Sequence, residues 1–197
     1  MCNAWEKACF LSFIFGLSFA YIGRMSKPLK VVCTGPESTG KSTLATDLAR
    51  YFQCPLVVEY ARAYIDQLDR PYQEADLLTI AQGQIAAEQK AEEKATQLWI
   101  CDTDLLTIKI WAEDKYDQCD PWIIQQLAQR PCDVYLLCGI DIPWEFDPQR
   151  EDPHRREWLY QLYQSALQNQ LIPHFTLSGN PPQRLQQAIV HIASLMT

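Results

Sequence analysis

Residues 35–42 read Gly-Pro-Glu-Ser-Thr-Gly-Lys-Ser, a G-x-x-x-x-G-K-S loop, and no other stretch restricts what this chain can fold into as strongly. Glycine permits backbone conformations that turn successive N–H groups toward one anion. A helix opening near Lys41 adds the positive end of its dipole. In such a loop Lys41 reaches the β- and γ-phosphates of a nucleoside triphosphate, and Ser42 ligates Mg2+. The motif has this meaning only between a strand and a helix, and both patterns are present. Leu29 to Thr34 is a short apolar, β-branched run, and Leu44, Ala45, Leu48, Ala49 and Phe52 recur at helical spacing. Gly35, Pro36, Glu37, Ser38, Thr39, Gly40, Lys41, Ser42 and Thr43 are therefore the expected ATP-binding residues.

Downstream the same alternation repeats. Pro55–Val58, Leu98–Cys101, Val134–Cys138 and Ile172–Leu177 are short apolar runs with strand character. Between them lie helical patterns: a long one over Glu74–Thr96, loosened at Gly83, a short one from Leu105 to about Glu113, one opened by Asp120 and Pro121, one carrying Trp158, Leu159, Leu162, Tyr163, Ala166 and Leu167, and a last one capped by Asn180-Pro181. Five apolar strands separated by helices predict an α/β fold, a five-stranded parallel sheet with helices on both faces. Ligands of such sheets bind beyond the carboxyl ends of the strands.

Three groups of polar residues follow strands or strand-like segments. Asp102-Thr103-Asp104 ends the third strand. If the chain stays extended, residues i and i+2 face the phosphate loop together. One carboxylate then serves a metal and the other accepts a proton from a substrate hydroxyl; the competing reading makes Asp104 a helix cap at a solvated strand end. Which aspartate has which role is left open by the spacing. Glu59-Tyr60-Ala61-Arg62 follows the second strand, where Glu59 and Arg62 either bind a ribose hydroxyl and an anionic group or form a surface ion pair. Arg150, Arg155 and Arg156 lie in or just after the polar stretch Asp141–His154. Arg155 and Arg156 stand at a helix start, where cations face the positive dipole end, so the arginines of this stretch read as lid groups that stabilise charge on a transferred phosphoryl group; the alternative is a charged loop whose acids satisfy them. Tyr60, Tyr64, Trp111 and Trp122 are either core residues or stacking partners for a base.

Composition narrows the partners. A net charge of -7 without a basic run argues against a duplex-binding protein. The eight cysteines contain no C-x-x-C pair, and Cys33, Cys101 and Cys138 fall in apolar runs, so buried thiols in a reducing cytoplasm are expected. His154, His174 and His191 are too scattered for a metal site. Residues 1–24 stand apart. Ala8–Gly23 is an uncharged run of sixteen, shorter than the roughly 20 residues of a membrane span. Translation starting at Met25, a membrane anchor and a packed N-terminal helix are the three readings, with the internal start preferred. Residues 25–197 are then one kinase-like domain.

Taken in order, GPESTGKST, EYARAY, ICDTD and PWEFDPQRED resemble the ribosylnicotinamide kinase domain of the NAD-biosynthesis regulator NadR and its stand-alone relatives, over nearly everything from Leu29 onward. The resemblance implies a P-loop NTPase fold of the nucleotide-kinase type and ATP- and Mg2+-dependent phosphorylation of nicotinamide riboside to nicotinamide mononucleotide. It implies that Lys41 and Ser42 serve phosphate and metal, and that Glu59, Tyr60 and Arg62 lie by the substrate. It puts Asp102 and Asp104 near metal and acceptor hydroxyl, with Arg150 and Arg156 in the lid. The chain has no room for that regulator's DNA-binding and adenylyltransferase domains. Another nucleoside or nucleotide as acceptor, and a nucleotide-sensing ATPase without an acceptor, are the competing functions. A GTPase switch lacks its N-K-x-D motif, and a mechanical AAA-type ATPase would carry Glu where Thr103 follows Asp102.

Overall fold

The computed structural model describes residues 27–147 and 154–196. The N-terminal segment 1–24 and Arg150 lie outside the described residues.

The elements run in the order β1 (Leu29–Thr34), α1 (Lys41–Phe52), β2 (Leu56–Val57), α2 (Tyr60–Ile65), α3 (Glu74–Lys94), β3 (Leu98–Asp102), α4 (Leu105–Tyr116), α5 (Pro121–Gln129), β4 (Val134–Cys138), α6 (Arg156–Gln168), β5 (His174–Leu177) and α7 (Pro181–Leu195). The five strands form one sheet in the order β2-β3-β1-β4-β5, and every pairing is parallel. Parallel strands need both faces covered, and the two-residue period of each strand supplies both. Val31, Cys33, Leu98, Ile100, Val134 and Leu136 pack under α1 and α7, while Val32, Trp99, Cys101, Tyr135 and Leu137 pack under α3, α4 and α6. Each fully buried aliphatic side chain here contributes about 1.5–3 kcal/mol. A third apolar cluster, with Leu77, Ile80, Leu105 and Ile123, binds α2, α3, α4 and α5 into an outer layer.

Caps set several boundaries. Asp120 accepts from the N–H of Trp122, with Pro121 at the first helical position of α5. Asn180 and Gln183 form a reciprocal capping box at the start of α7. Helix α3 runs unbroken through Gly83, contrary to the expected loosening. A Cβ at that position would lie 2.2 Å from the Tyr60 ring, so the glycine makes room for a packed aromatic and does not bend the helix.

Strand order brings the chemistry together. From β1 the chain moves outward to β2, returns through β3, and then crosses to β4 on the other side, so direction switches beside β1. Pairing of Cys33 with Asp102 and of Val57 with Cys101 puts the phosphate loop, Glu59 and Asp102 beyond one edge of the sheet. That edge is where a switch point opens a crevice. Among the described residues no helix is long and apolar enough to cross a membrane.

Candidate active site

The phosphate loop leaves β1 and enters α1 through three left-handed or related backbone positions: Gly35 (φ 132°), Ser38 (φ 56°) and Gly40 (φ 76°). At Gly35 a side chain would also be tight, its Cβ coming within 3.0 Å of the Cys138 carbonyl oxygen. Inside the loop the Thr39 hydroxyl and the Lys41 ammonium both donate to the Pro36 carbonyl at 2.8 Å. The loop thus satisfies itself internally and keeps Lys41 folded over its own concavity, where an anion would compete for it.

Outside supports hold this shape. Arg184 of α7 is 3% exposed and donates to the carbonyls of Thr39 (2.7 Å), Gly139 (3.1 Å) and Gly179 (2.8 Å) and to the Asp141 carboxylate. Partial burial pushes the Asp141 carboxyl up, but the Gly179 N–H and Arg184 outweigh it and hold it below its ordinary value. On the other flank Ser38 accepts from the Glu145 N–H at its hydroxyl (2.8 Å) and from Arg156 at its carbonyl (2.7 Å).

Arg156, expected in the lid, reaches the phosphate loop from the start of α6. Its two Nη atoms donate to the carbonyls of Ile142 and Ser38, both at 2.7 Å, and so brace the phosphate loop. Its neighbour Arg155 lines the cavity instead and pairs with Asp114 at 2.6 Å, where the Trp158 indole also donates.

The two aspartates part company. Thr103 adopts φ 69°, so the chain is not extended between them and their carboxylates do not face one way. Asp102 stays at the sheet edge beside Cys33, buried, with Oδ1 lacking a hydrogen-bond partner. Asp104 turns into the core. Its Oδ1 accepts from the Leu106 N–H (3.0 Å), capping α4, and its Oδ2 accepts from the Tyr135 hydroxyl (2.8 Å). Burial pushes the Asp104 carboxyl up, against the opposing pull of Lys30, Tyr135 and Leu106. Lys30 forms a buried pair with Glu88 at 2.7 Å. Burial pulls Lys30 down, but Glu88 and Asp104 more than reverse this and hold the ammonium above its ordinary range. The expectation that both aspartates point at the phosphate loop is corrected by this geometry: Asp104 caps a helix at a buried strand end.

Glu59 precedes α2 and makes no side-chain bond to its amides. Its carboxylate lines the cavity, and burial raises it, with Asp102 and Asp147 adding to the rise while Lys41 and Arg62 oppose it. Arg62 pairs with Asp147 at 2.7 Å, so it joins α2 to the segment after β4. Tyr60 is not a pocket residue: its ring covers Gly83 and stacks on Tyr64 with centroids 6.4 Å apart. Trp111 does line the cavity, together with Tyr72, over whose ring Lys115 lies at 3.9 Å. Trp122 packs against the outer apolar cluster.

One continuous cavity of about 490 Å³ unites these groups. Residues 35–44 and Arg184 line one end, Glu59 and Arg62 also line it, and Ile65, Tyr72, Trp111 and Asp114 contribute a second wall. Two oxygen donors near the phosphate loop suit a hard cation. The orphaned buried oxygen of Asp102 and the exposed Ser42 at the first turn of α1 are hard oxygen donors. Among the described residues no group of three or more His, Cys, Asp or Glu could hold a metal, so these two donors need phosphate oxygens to complete a site.

Arg184, Asp114 and the buried polar residues of α3 escaped the sequence reading. Arg184 shares the buried stripe of α7 with Ala188 and Ile192, and Gln84 and Glu88 share that of α3 with Leu77, Ala81 and Ala91. A polar residue in register with an apolar stripe was the available signal.

Comparison with known proteins gives the same architecture. Over 139 residues the chain is 27% identical to the trifunctional NAD biosynthesis/regulator protein NadR of Salmonella typhimurium (strain LT2), a match covering 66% of this chain and 33% of that protein. The chain thus spans about a third of the length of the curated relatives it matches. A crystal structure of NadR protein in complex with NR superposes with a TM-score of 0.72 at 21% identity, over 87% of this chain and 51% of that one. One of NadR with NAD and AMP-PNP gives 0.67 at 23%, over 87% and 50%. Thymidylate kinase from Ehrlichia chaffeensis gives 0.60 at 15%, over 85% of this chain and 100% of that one. The five-stranded parallel sheet is therefore the P-loop fold shared with nucleotide kinases. Residues 30–184, which take in all five strands except Leu29, match the AAA_28 family model, an AAA domain, and the chain belongs to that family.

Proposed function

We propose that this protein transfers the γ-phosphoryl group of ATP to a hydroxyl of a small nucleoside, with nicotinamide riboside the first candidate. The observation that carries the reading is the single cavity with a phosphate loop at one end and an aromatic wall of Tyr72 and Trp111 at the other. An ATPase without an acceptor has no use for the second wall. Both arginines on the acceptor side are already matched by carboxylates, Arg62 by Asp147 and Arg155 by Asp114. That matching favours an acceptor without a phosphate of its own over a nucleoside monophosphate. The relatives support both substrates, one NadR structure holding NR and another AMP-PNP.

In this reading the loop amides and Lys41 bind the donor phosphates, Lys41 leaving the Pro36 carbonyl for the γ-phosphate. Tyr72 and Trp111 position the acceptor so that its hydroxyl meets the phosphoryl group, which makes the transfer effectively unimolecular. Glu59 takes the hydroxyl proton as the new O–P bond forms and the bond to the β-phosphate breaks, releasing ADP. Its burial-raised carboxylate suits it to this, since a base works best near the operating pH. Ser42 and Asp102 would hold Mg2+, which would neutralise charge on the phosphates. A reducing cytoplasm is the proposed setting, in keeping with the free thiols of the six described cysteines.

The test is ATP consumption with and without a nucleoside panel that includes nicotinamide riboside, followed by identification of the product. Stimulation by one acceptor, yielding its phosphate ester, supports the kinase. Slow hydrolysis indifferent to every acceptor would overturn it.

A further inference from the structure

Gln84 is a buried polar residue that the phosphoryl-transfer chemistry does not use directly. It lies at the middle of α3, 2% exposed, on the stripe that carries Leu77, Ile80, Ala81 and Ile85. Its side-chain oxygen accepts from the Tyr60 N–H at 3.1 Å, and its side-chain nitrogen donates to the Thr103 carbonyl at 3.4 Å. The orientation of the amide follows from its partners, since one is a donor and the other an acceptor.

Those two backbone groups belong to the residues immediately after Glu59 and Asp102. Tyr60 is the first residue of α2, whose leading N–H groups have no partner within the helix. Glu59 stands at the N-cap position, where a carboxylate ordinarily turns back to such amides. Here it makes no side-chain cap, and Gln84 satisfies the Tyr60 N–H from outside. Thr103 carries the left-handed kink, φ 69°, that separates the direction of Asp102 from that of Asp104. A non-glycine residue in that conformation persists when its surroundings hold it, and Gln84 holds its carbonyl while the Cys33 carbonyl accepts from its N–H at 3.0 Å.

We infer that Gln84 is a positioning residue whose side-chain amide bridges the ends of β2 and β3 and so sets the separation of Glu59 and Asp102 around Lys41. The inference rests on the reading of Glu59 and Asp102 as the carboxylates of phosphoryl transfer. Both faces of the bridge are fixed by packing: the Tyr60 ring lies on Gly83, one residue before Gln84, and α3 is anchored at its next buried turn by the Glu88–Lys30 pair. The phosphate loop has separate supports in Arg184 and Arg156, so loss of the bridge should disturb the carboxylates without disturbing nucleotide binding.

The experiment uses the full chain with Mg2+-ATP and nicotinamide riboside, and compares Gln84→Leu, Gln84→Glu, Glu59→Gln and Asp102→Asn. Thermal unfolding first establishes which variants are folded at the assay temperature. In folded Gln84→Leu, kcat should fall by about 10- to 100-fold, the scale of a misplacement of roughly 1 Å, while the equilibrium Kd for ATP measured without Mg2+ stays within about threefold. Gln84→Glu retains the acceptor for Tyr60 and, when protonated, a donor for Thr103. It should therefore recover activity relative to Gln84→Leu as pH is lowered, a rescue that general loosening of the fold would not produce, and it stands in for Gln84→Leu should that variant not fold. Wild-type kcat in folded Gln84→Leu, or in folded Gln84→Glu at a pH where its carboxyl is ionised, or a fall in kcat matched by an equal loss of metal-free ATP affinity, would overturn the inference while leaving the carboxylate reading intact if Glu59→Gln and Asp102→Asn are impaired. Normal transfer by both carboxylate variants would overturn the two together.

Discussion

The Arg184 Nη1 donates to the Thr39 carbonyl at 2.7 Å, which fastens the last helix to the middle of the phosphate loop. The same guanidinium holds the carbonyls of Gly139 and Gly179, so the loops that follow β1, β4 and β5 share one buried cation. A planar group with five donors can do this where an ammonium cannot. The phosphate loop is thus shaped before any anion arrives.

Replacing Arg184 by Leu should destabilise the fold by on the order of 3 kcal/mol, because the buried carbonyls of Thr39 and Gly139 lose their donor and Asp141 loses its partner. Arg184→Lys should recover only part, since one ammonium cannot span three loops. Urea unfolding measures both. A shift within the roughly 0.5 kcal/mol of an ordinary surface substitution would show that the cluster contributes nothing to stability.

Gly83→Ala should destabilise, although alanine is ordinarily about 1 kcal/mol better than glycine inside a helix. The added Cβ would lie 2.2 Å from the Tyr60 ring, and that ring is held by stacking on Tyr64. The expected cost is about 1–3 kcal/mol. In a Tyr60→Ala background the clash is gone and the same change should become stabilising. Additive effects of the two substitutions in a double-mutant cycle would refute this account of the glycine.

The sheet was legible in the sequence because each strand is a short apolar run buried on both faces, and all five runs appear in the fold. Strand ends were less so: β5 begins at His174 and β2 keeps only Leu56–Val57. The phosphate loop was legible because its glycines and lysine are demanded by local backbone geometry. Asp104 was misplaced for the complementary reason. The i, i+2 argument presumes an extended chain, and the kink at Thr103 is stabilised by Gln84 and Cys33, residues 19 and 70 positions away. The bonds of Arg156 were hidden similarly, since its acceptors at Ser38 and Ile142 are set by tertiary contact. Long-range hydrogen bonding to backbone leaves no periodic trace in a sequence.

Asp102 and Asp104 should therefore separate sharply under substitution. Asp102→Asn removes charge from the carboxylate beside the loop and should lower transfer by about 100-fold or more, at the scale of a group acting on the reacting phosphate. Asp104→Asn keeps a side-chain oxygen for the Leu106 N–H and leaves Lys30 its closer partner, Glu88. Transfer should stay within about threefold of wild type, as expected of a group remote from the chemistry. Initial rates at saturating ATP decide the matter. Equal losses in the two variants would restore Asp104 to the reacting site.

The pH dependence of transfer should report Glu59. A protonated carboxyl cannot take the acceptor's proton, so kcat/KM should rise with pH and level off once Glu59 is ionised. Burial raises this group, Asp102 and Asp147 reinforce it, and Lys41 and Arg62 pull it down. Burial prevails, so the acidic limb should lie above the ordinary carboxylate range. Replacing Arg62 by Gln removes one opposing cation and should move the limb further upward; removing the Asp147 charge with Asp147→Asn should move it downward. Glu59→Gln should abolish the limb along with most of the rate. A full pH profile of each variant, measured where thermal unfolding shows the protein folded, tests the assignment. An unchanged acidic limb in Glu59→Gln would mean that another group takes the proton, and Asp102 would then be the remaining carboxylate at that edge of the sheet.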